Sequence, residues 1–154
     1  MLPGAEIIGR LLGEILGHSV TAKKRPPNPL SGPGTRVIAV FESDNDAVVA
    51  ACVCDLTLAV EMGAALVMLP PAAAQEAVTA GKCSANLMEN LAEVLNMCRP
   101  WFQQNGAHIR CPQLYQTPCA MPAPVAHLLR APKQRLDLDV TVSGYRSGKM
   151  TMVE

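Results

Sequence analysis

Between residues 5 and 17 apolar positions recur every three or four residues. Ile7, Ile8, Leu11, Leu12, Ile15 and Leu16 form one stripe, broken at regular intervals by Glu6, Arg10 and Glu14. The spacing predicts an amphipathic surface helix, closed by Gly17. Residues 26–34 are dense in Pro, Gly, Asn and Ser and read as a loop. Arg36–Glu42 and Ala47–Cys54 then read as two strands joined by Ser43-Asp44-Asn45-Asp46, a hairpin. Asp55 is a good N-cap for a helix over 56–66, in which Ala59, Gly63 and Ala64 are small enough to admit another backbone. Pro70 and Pro71 start a short helix that Gly81 ends. Ser84 caps the most regular helix, over 85–99, and Pro100 stops or kinks it. A strand follows at Ala107–Cys111. The proline-rich stretch 112–132 shows no period that assigns an element. Leu136–Ser143 and Lys149–Val153 close the chain as a hairpin around residues 144–148. The 154 residues fit one domain, of α+β class, with no internal repeat.

The last hairpin predicts an assembly property. Leu136, Leu138, Val140 and Val142 alternate with Asp137, Asp139 and Thr141, so one face of this strand is apolar. An open edge with an apolar face invites pairing. The composition points the same way: 49% of residues are hydrophobic and only 17% charged, which leaves apolar surface for a partner to cover. A homodimer through a sheet edge or by strand exchange is expected.

Charge narrows the function. Thirteen basic residues balance thirteen acidic ones, and only five aromatic residues are present, so neither phosphate neutralisation nor base stacking is provided for. Nucleic acid is not an expected partner. No apolar run approaches the length of about 18 residues that spans a bilayer. The N-terminal stripe is too often interrupted by charge for a signal peptide, so a cytoplasmic protein is expected, without membrane contact. The six cysteines at 52, 54, 83, 98, 111 and 119 are then reduced thiols, most of them buried. Cys98, His108 and Cys111 lack metal-ligand spacing, and no metal site is assigned. No serine has a nucleophile-elbow context, and the Ser31-Gly32-Pro33-Gly34 segment precedes its strand and contains proline, unlike a phosphate cradle. Lys23-Lys24-Arg25 reads as a solvated charge run.

The helix over 85–99 carries the chemical suggestion. On a wheel of about 100° per residue, Asn86, Glu89, Glu93 and Asn96 share an arc of about 80°. Leu87, Leu91, Val94, Leu95 and Cys98 occupy the opposite face. The apolar face goes to the core, so carboxylates and carboxamides are presented together outward. A solvated polar face is the ordinary fate of such residues. Glu-x-x-Asn also recurs at Glu42 and Asn45, across the predicted turn, where it is assigned no role.

Leu87-Met88-Glu89-Asn90-Leu91-Ala92-Glu93-Val94-Leu95-Asn96 resembles the signature helix of the CheC/CheX family of chemotaxis phosphatases. The likeness extends to the order of parts over residues 5–120: an amphipathic helix, a hairpin, a helix containing Gly63-Ala64-Ala65-Leu66, a loop and the signature helix. It implies an antiparallel sheet with helices packed on it. It also implies hydrolysis of the aspartyl phosphate of a CheY-like receiver domain, which would supply the Mg²⁺; the chain would need no cofactor of its own. In that scheme Asn96 holds a water in line with phosphorus, Glu93 pairs with the receiver's lysine, and Glu89 and Asn86 contact the partner. Glu89 stands where the family has Asp or Ser. Pro118 follows Asn96 after 21 residues, one fewer than the family's usual number. The first helix has Glu14 but Gly17 in the position of the matching Asn, which leaves one site, as in CheX. Two functions fit: a CheX-like phosphatase, and a non-catalytic binding or assembly module of a signalling pathway that keeps the fold.

Overall fold

The computed structural model describes residues 1–103 and 106–154. Among them, six strands form one antiparallel sheet. Helix α1 (Ala5–Leu16) is followed by β1 (Val20–Lys24), the hairpin β2 (Arg36–Ser43) and β3 (Val48–Asp55), and helices α2 (Leu56–Leu66), α3 (Pro71–Thr79) and α4 (Ala85–Met97). A 3₁₀ turn (Arg99–Trp101) leads into β4 (Ile109–Gln116), α5 (Ala123–Arg130) and the hairpin β5 (Arg135–Val142) and β6 (Ser147–Val153). The strand order is β1-β5-β6-β3-β2-β4.

Alternation along β2 and β3 separates two cores. Val37, Ala39 and Phe41, with Ala50, Cys52 and Cys54, point to the inner face, where α1, α2 and α4 pack. Ile38 and Val40, with Ala51 and Val53, point to the outer face, where Val125 and Leu129 of α5 meet them. The two strands are apolar at successive positions because both faces are covered.

The elements arise where local chemistry places them. Gly17 closes α1 in the left-handed region, at φ 68°, where a residue without Cβ is favoured. The Asp55 carboxylate accepts from the Leu58 amide at 2.9 Å and caps α2. The small residues of α2 allow the close crossing with α4: a Cβ built on Gly63 would lie 2.7 Å from the Leu87 carbonyl oxygen. The Asn90 amide nitrogen donates to the Gly63 carbonyl at 3.2 Å across the same crossing. Gly63→Ala is therefore expected to destabilise by about 1–2 kcal/mol, although alanine favours a helix over glycine by about 1 kcal/mol, because the obstructing atom is backbone. Urea unfolding midpoints measure it, and a stabilised variant would contradict the crossing.

Several expectations change. Ile7 is half exposed and not part of the buried stripe, which consists of Ile8, Leu12 and Leu16. The helix expected over 85–99 ends at Met97, and residues 99–101 tighten into the 3₁₀ turn. The strand expected at 107–111 runs from Ile109 to Gln116, through Pro112, which an edge strand tolerates. Residues 123–130 are a helix. Lys23 and Lys24 lie in β1, where they remain exposed, but Arg25 turns inward to Asp137 and Asp139, each 3.7 Å away. Asp137 is correspondingly buried, and the strand 135–142 is not an edge: β1 and β6 flank it on both sides. The open apolar edge that motivated a homodimer through a sheet edge or by strand exchange is filled by β1 of the same chain. The edges are β1, guarded by Lys23 and Lys24, and β4.

Candidate functional site

Helix α4 starts where the Ser84 hydroxyl accepts from the Leu87 amide, at 3.4 Å. Its inner face is anchored by Leu91, Val94, Leu95 and Cys98, all fully buried, and by Leu87. The Cys98 thiol donates to the Val94 carbonyl at 3.2 Å. Burial pushes the Cys83 thiol up to about 11, and it likewise raises Cys98 well above its ordinary value; these are packing groups and not nucleophiles.

Asn86, Glu89, Glu93 and Asn96 are all exposed, as the wheel predicts. Glu93 and Asn96 lie one turn apart on the same solvated face. Among the described residues, neither side chain has a hydrogen-bond or ion-pair partner. Two groups unassigned from sequence hold this face in place. Asn90 ties α4 to α2, as described above. The Arg99 Nε donates to the Asn96 carbonyl at 2.9 Å while its terminal nitrogen reaches the Ile109 carbonyl at 3.4 Å. Pro100 ends the α-helix, and Arg99 then fastens its last turn to β4. The Asn90–Gly63 and Arg99–Ile109 bonds have no local signal in sequence, because each joins groups brought together by the fold, whereas Arg99 and Asn96 are three residues apart in the chain.

Helix α1 presents no equivalent pair. Gly17 is the left-handed cap and has no side chain, so Glu14 stands alone. With Arg10 it lines a groove of about 610 Å³ between α1 and the 3₁₀ turn, beside Leu11 and Trp101.

Among the described residues, no group of three or more His, Cys, Asp or Glu side chains is placed to hold a metal ion. His108, considered above with Cys98 and Cys111, instead has its Nδ1 2.7 Å from an Asp44 carboxylate oxygen. The arrangement on α4 can therefore offer a carboxamide and a carboxylate at fixed spacing to another molecule.

No family model and no curated protein matches the chain. Solved structures do. A chain of the FliM–SpeE complex from H. pylori superposes with a TM-score of 0.66 at 10% identity, over 97% of this chain and 80% of that one. The FliM middle domain from H. pylori gives 0.52 at 9% identity, over 97% and 84%. A chemotactic CheC-like protein from Shewanella oneidensis also gives 0.52 at 9% identity, over 97% and 94%. The chain has the CheC/CheX-like fold, which FliM middle domains share. At this identity the likeness concerns the fold, and function is argued from the site. No helix among the described residues is long and apolar enough to cross a membrane.

Proposed function

We propose that this chain is a chemotaxis-related signalling protein that docks the outer face of α4 against a phosphorylated CheY-like receiver domain and accelerates hydrolysis of its aspartyl phosphate. The observation that carries this reading is the pair Glu93 and Asn96, exposed one turn apart, without side-chain partners among the described residues, on a helix whose opposite face is packed. A solvated pair held on a rigid element can enter a partner's site without the chain rearranging. In-line attack on a phosphoryl group depends on positioning and on charge management. Asn96 positions the water through its carboxamide, and Glu93 pairs with a cation of the receiver. Mg²⁺ belongs to the receiver, and Glu89 and Asn86 border the contact.

The test is the decay of phospho-receiver in a panel of CheY-like domains, with and without the protein. Acceleration proportional to protein concentration is expected, and no acceleration with any receiver that binds would refute turnover. Glu93→Ala is expected to weaken receiver binding by about tenfold, since it removes one charge pair at the contact. Titration of unphosphorylated receiver by fluorescence anisotropy measures this loss. Unchanged affinity would remove Glu93 from the interface.

A second reading is favoured by Glu89. It places another carboxylate one turn before Glu93, on the face that would approach a phosphoryl group, and like charges repel there. In this reading the fold is kept for protein assembly without turnover, and the FliM–SpeE structure shows a protein of this fold within a complex of two proteins. Binding without accelerated decay distinguishes it.

A further inference from the structure

On the sheet face opposite α4, a pocket of about 480 Å³ lies between the 30–34 loop and α5. Its apolar lining comes from Leu30, Ile38, Met121 and Leu129, and three arginines, Arg36, Arg130 and Arg135, contribute to its wall. No aspartate or glutamate is among the described residues that line it. The three cations are not equivalent. Arg135 is already neutralised, with Nε 2.8 Å and a terminal nitrogen 2.9 Å from the two oxygens of Asp137. Burial alone would raise the Asp137 carboxyl, but hydrogen bonds from Arg135 and Thr151 and the charges of Arg135 and Arg25 hold it below its ordinary value. Asp137 therefore stays ionised and keeps Arg135 occupied. The Arg36 guanidinium donates to the Gly32 carbonyl, at 3.3 Å, and forms no ion pair with a carboxylate among the described residues. Arg130 has no hydrogen bond or ion pair among the described residues. Arg36 and Arg130 thus stand beside apolar walls, and among the described residues neither forms an ion pair with a carboxylate.

We infer that this pocket binds a small amphipathic anion, with a carboxylate or phosphate head held by Arg36 and Arg130 and an apolar body against Ile38, Met121 and Leu129. The volume is that of small-ligand sites, which are mostly apolar with a few polar groups that fix orientation. Guanidinium groups suit such heads because their donors match paired oxygens. The site is separate from α4 and does not rest on the phosphatase reading.

The experiment uses the full chain and 8-anilinonaphthalene-1-sulfonate, whose fluorescence rises on binding, beside N-phenyl-1-naphthylamine, which has the same rings without the sulfonate. The sulfonate probe is expected to bind at one site per chain. The double variant Arg36→Gln/Arg130→Gln should weaken it about tenfold or more and leave the uncharged probe unaffected. Cys119 lines the pocket and is exposed, so saturating probe should slow its alkylation by iodoacetamide. Decanoate and decyl phosphate should each displace the probe, and the one effective at lower concentration identifies the preferred head. Sulfonate binding that ignores the double variant, alkylation that ignores the probe, or failure of both competitors would overturn the assignment.

Discussion

Asn96→Ala is expected to lower the rate of phospho-receiver hydrolysis at saturation by about a hundredfold, while receiver binding stays within about twofold of wild type. The asymmetry follows from the role proposed for the carboxamide. Holding a water in line with phosphorus matters most where the new bond forms, so its removal affects the transition state and leaves the ground-state complex nearly intact. Position 96 makes the experiment clean. Its side chain is exposed and has no partner among the described residues, and alanine is a better helix former than asparagine. The fold is therefore expected to survive, which a thermal melt checks. The bond from the Arg99 side chain to the backbone carbonyl of residue 96 remains available in the variant. Single-turnover decay of the phospho-receiver gives the rate, and a binding titration gives the affinity. Asn96→Gln should recover little, because one extra methylene moves the amide away from the water. Equal rates for wild type and Asn96→Ala, on a receiver that both bind, would eliminate positioning by Asn96.

What was legible in the chain follows from how local each signal is. The α4 face could be read because its burial depends on one periodic stripe: Leu87, Leu91, Val94 and Leu95 leave only one way to lay the helix down, and Glu89, Glu93 and Asn96 are then outside. The cap at Asp55, the left-handed Gly17 and the β2–β3 turn are likewise short-range. β1 was hidden because its five residues include Lys23 and Lys24, and as an edge strand it needs polar positions that resemble a solvated run. α5 was hidden for a different reason. Pro122 and Pro124 suggest a loop, yet proline is tolerated in a first helical turn, and eight residues are too few for a periodic signal. A clue did exist in Ile38, Val40, Ala51 and Val53, whose apolar side chains fall on the face opposite the main core and require a second cover. Two supports of the site, Asn90 on Gly63 and Arg99 on Ile109, depend on tertiary placement and carry no sequence period.

The protein is expected to lose stability as pH rises through the range from about 4.5 to about 7, and Glu61→Gln is expected to remove that loss. Glu61 sits on α2 at 3% exposure, under the β5–β6 turn. One carboxylate oxygen accepts from the Arg146 amide at 2.8 Å, and the other is buried with no hydrogen-bond partner among the described residues. Burial raises its pKa from 4.5 to about 7; nearby Asp55 adds to the shift, while the Arg146 amide bond and charge offset part of it. Between the two values the folded chain keeps a proton on Glu61 that the unfolded chain has released, so stability falls as pH rises and levels off above about 7. Each pH unit is worth about 1.4 kcal/mol, which bounds the loss at roughly 3 kcal/mol. Glutamine keeps an oxygen for the Arg146 amide and cannot ionise, so the variant resembles the protonated carboxyl at every pH. It should match wild type near pH 4.5 and exceed it above pH 7 by about 1–3 kcal/mol. Urea unfolding of both proteins at pH 4.5, 5.5, 6.5 and 7.5 supplies the comparison. Parallel pH profiles for the two would show that Glu61 ionises as readily in the folded chain as in the unfolded one.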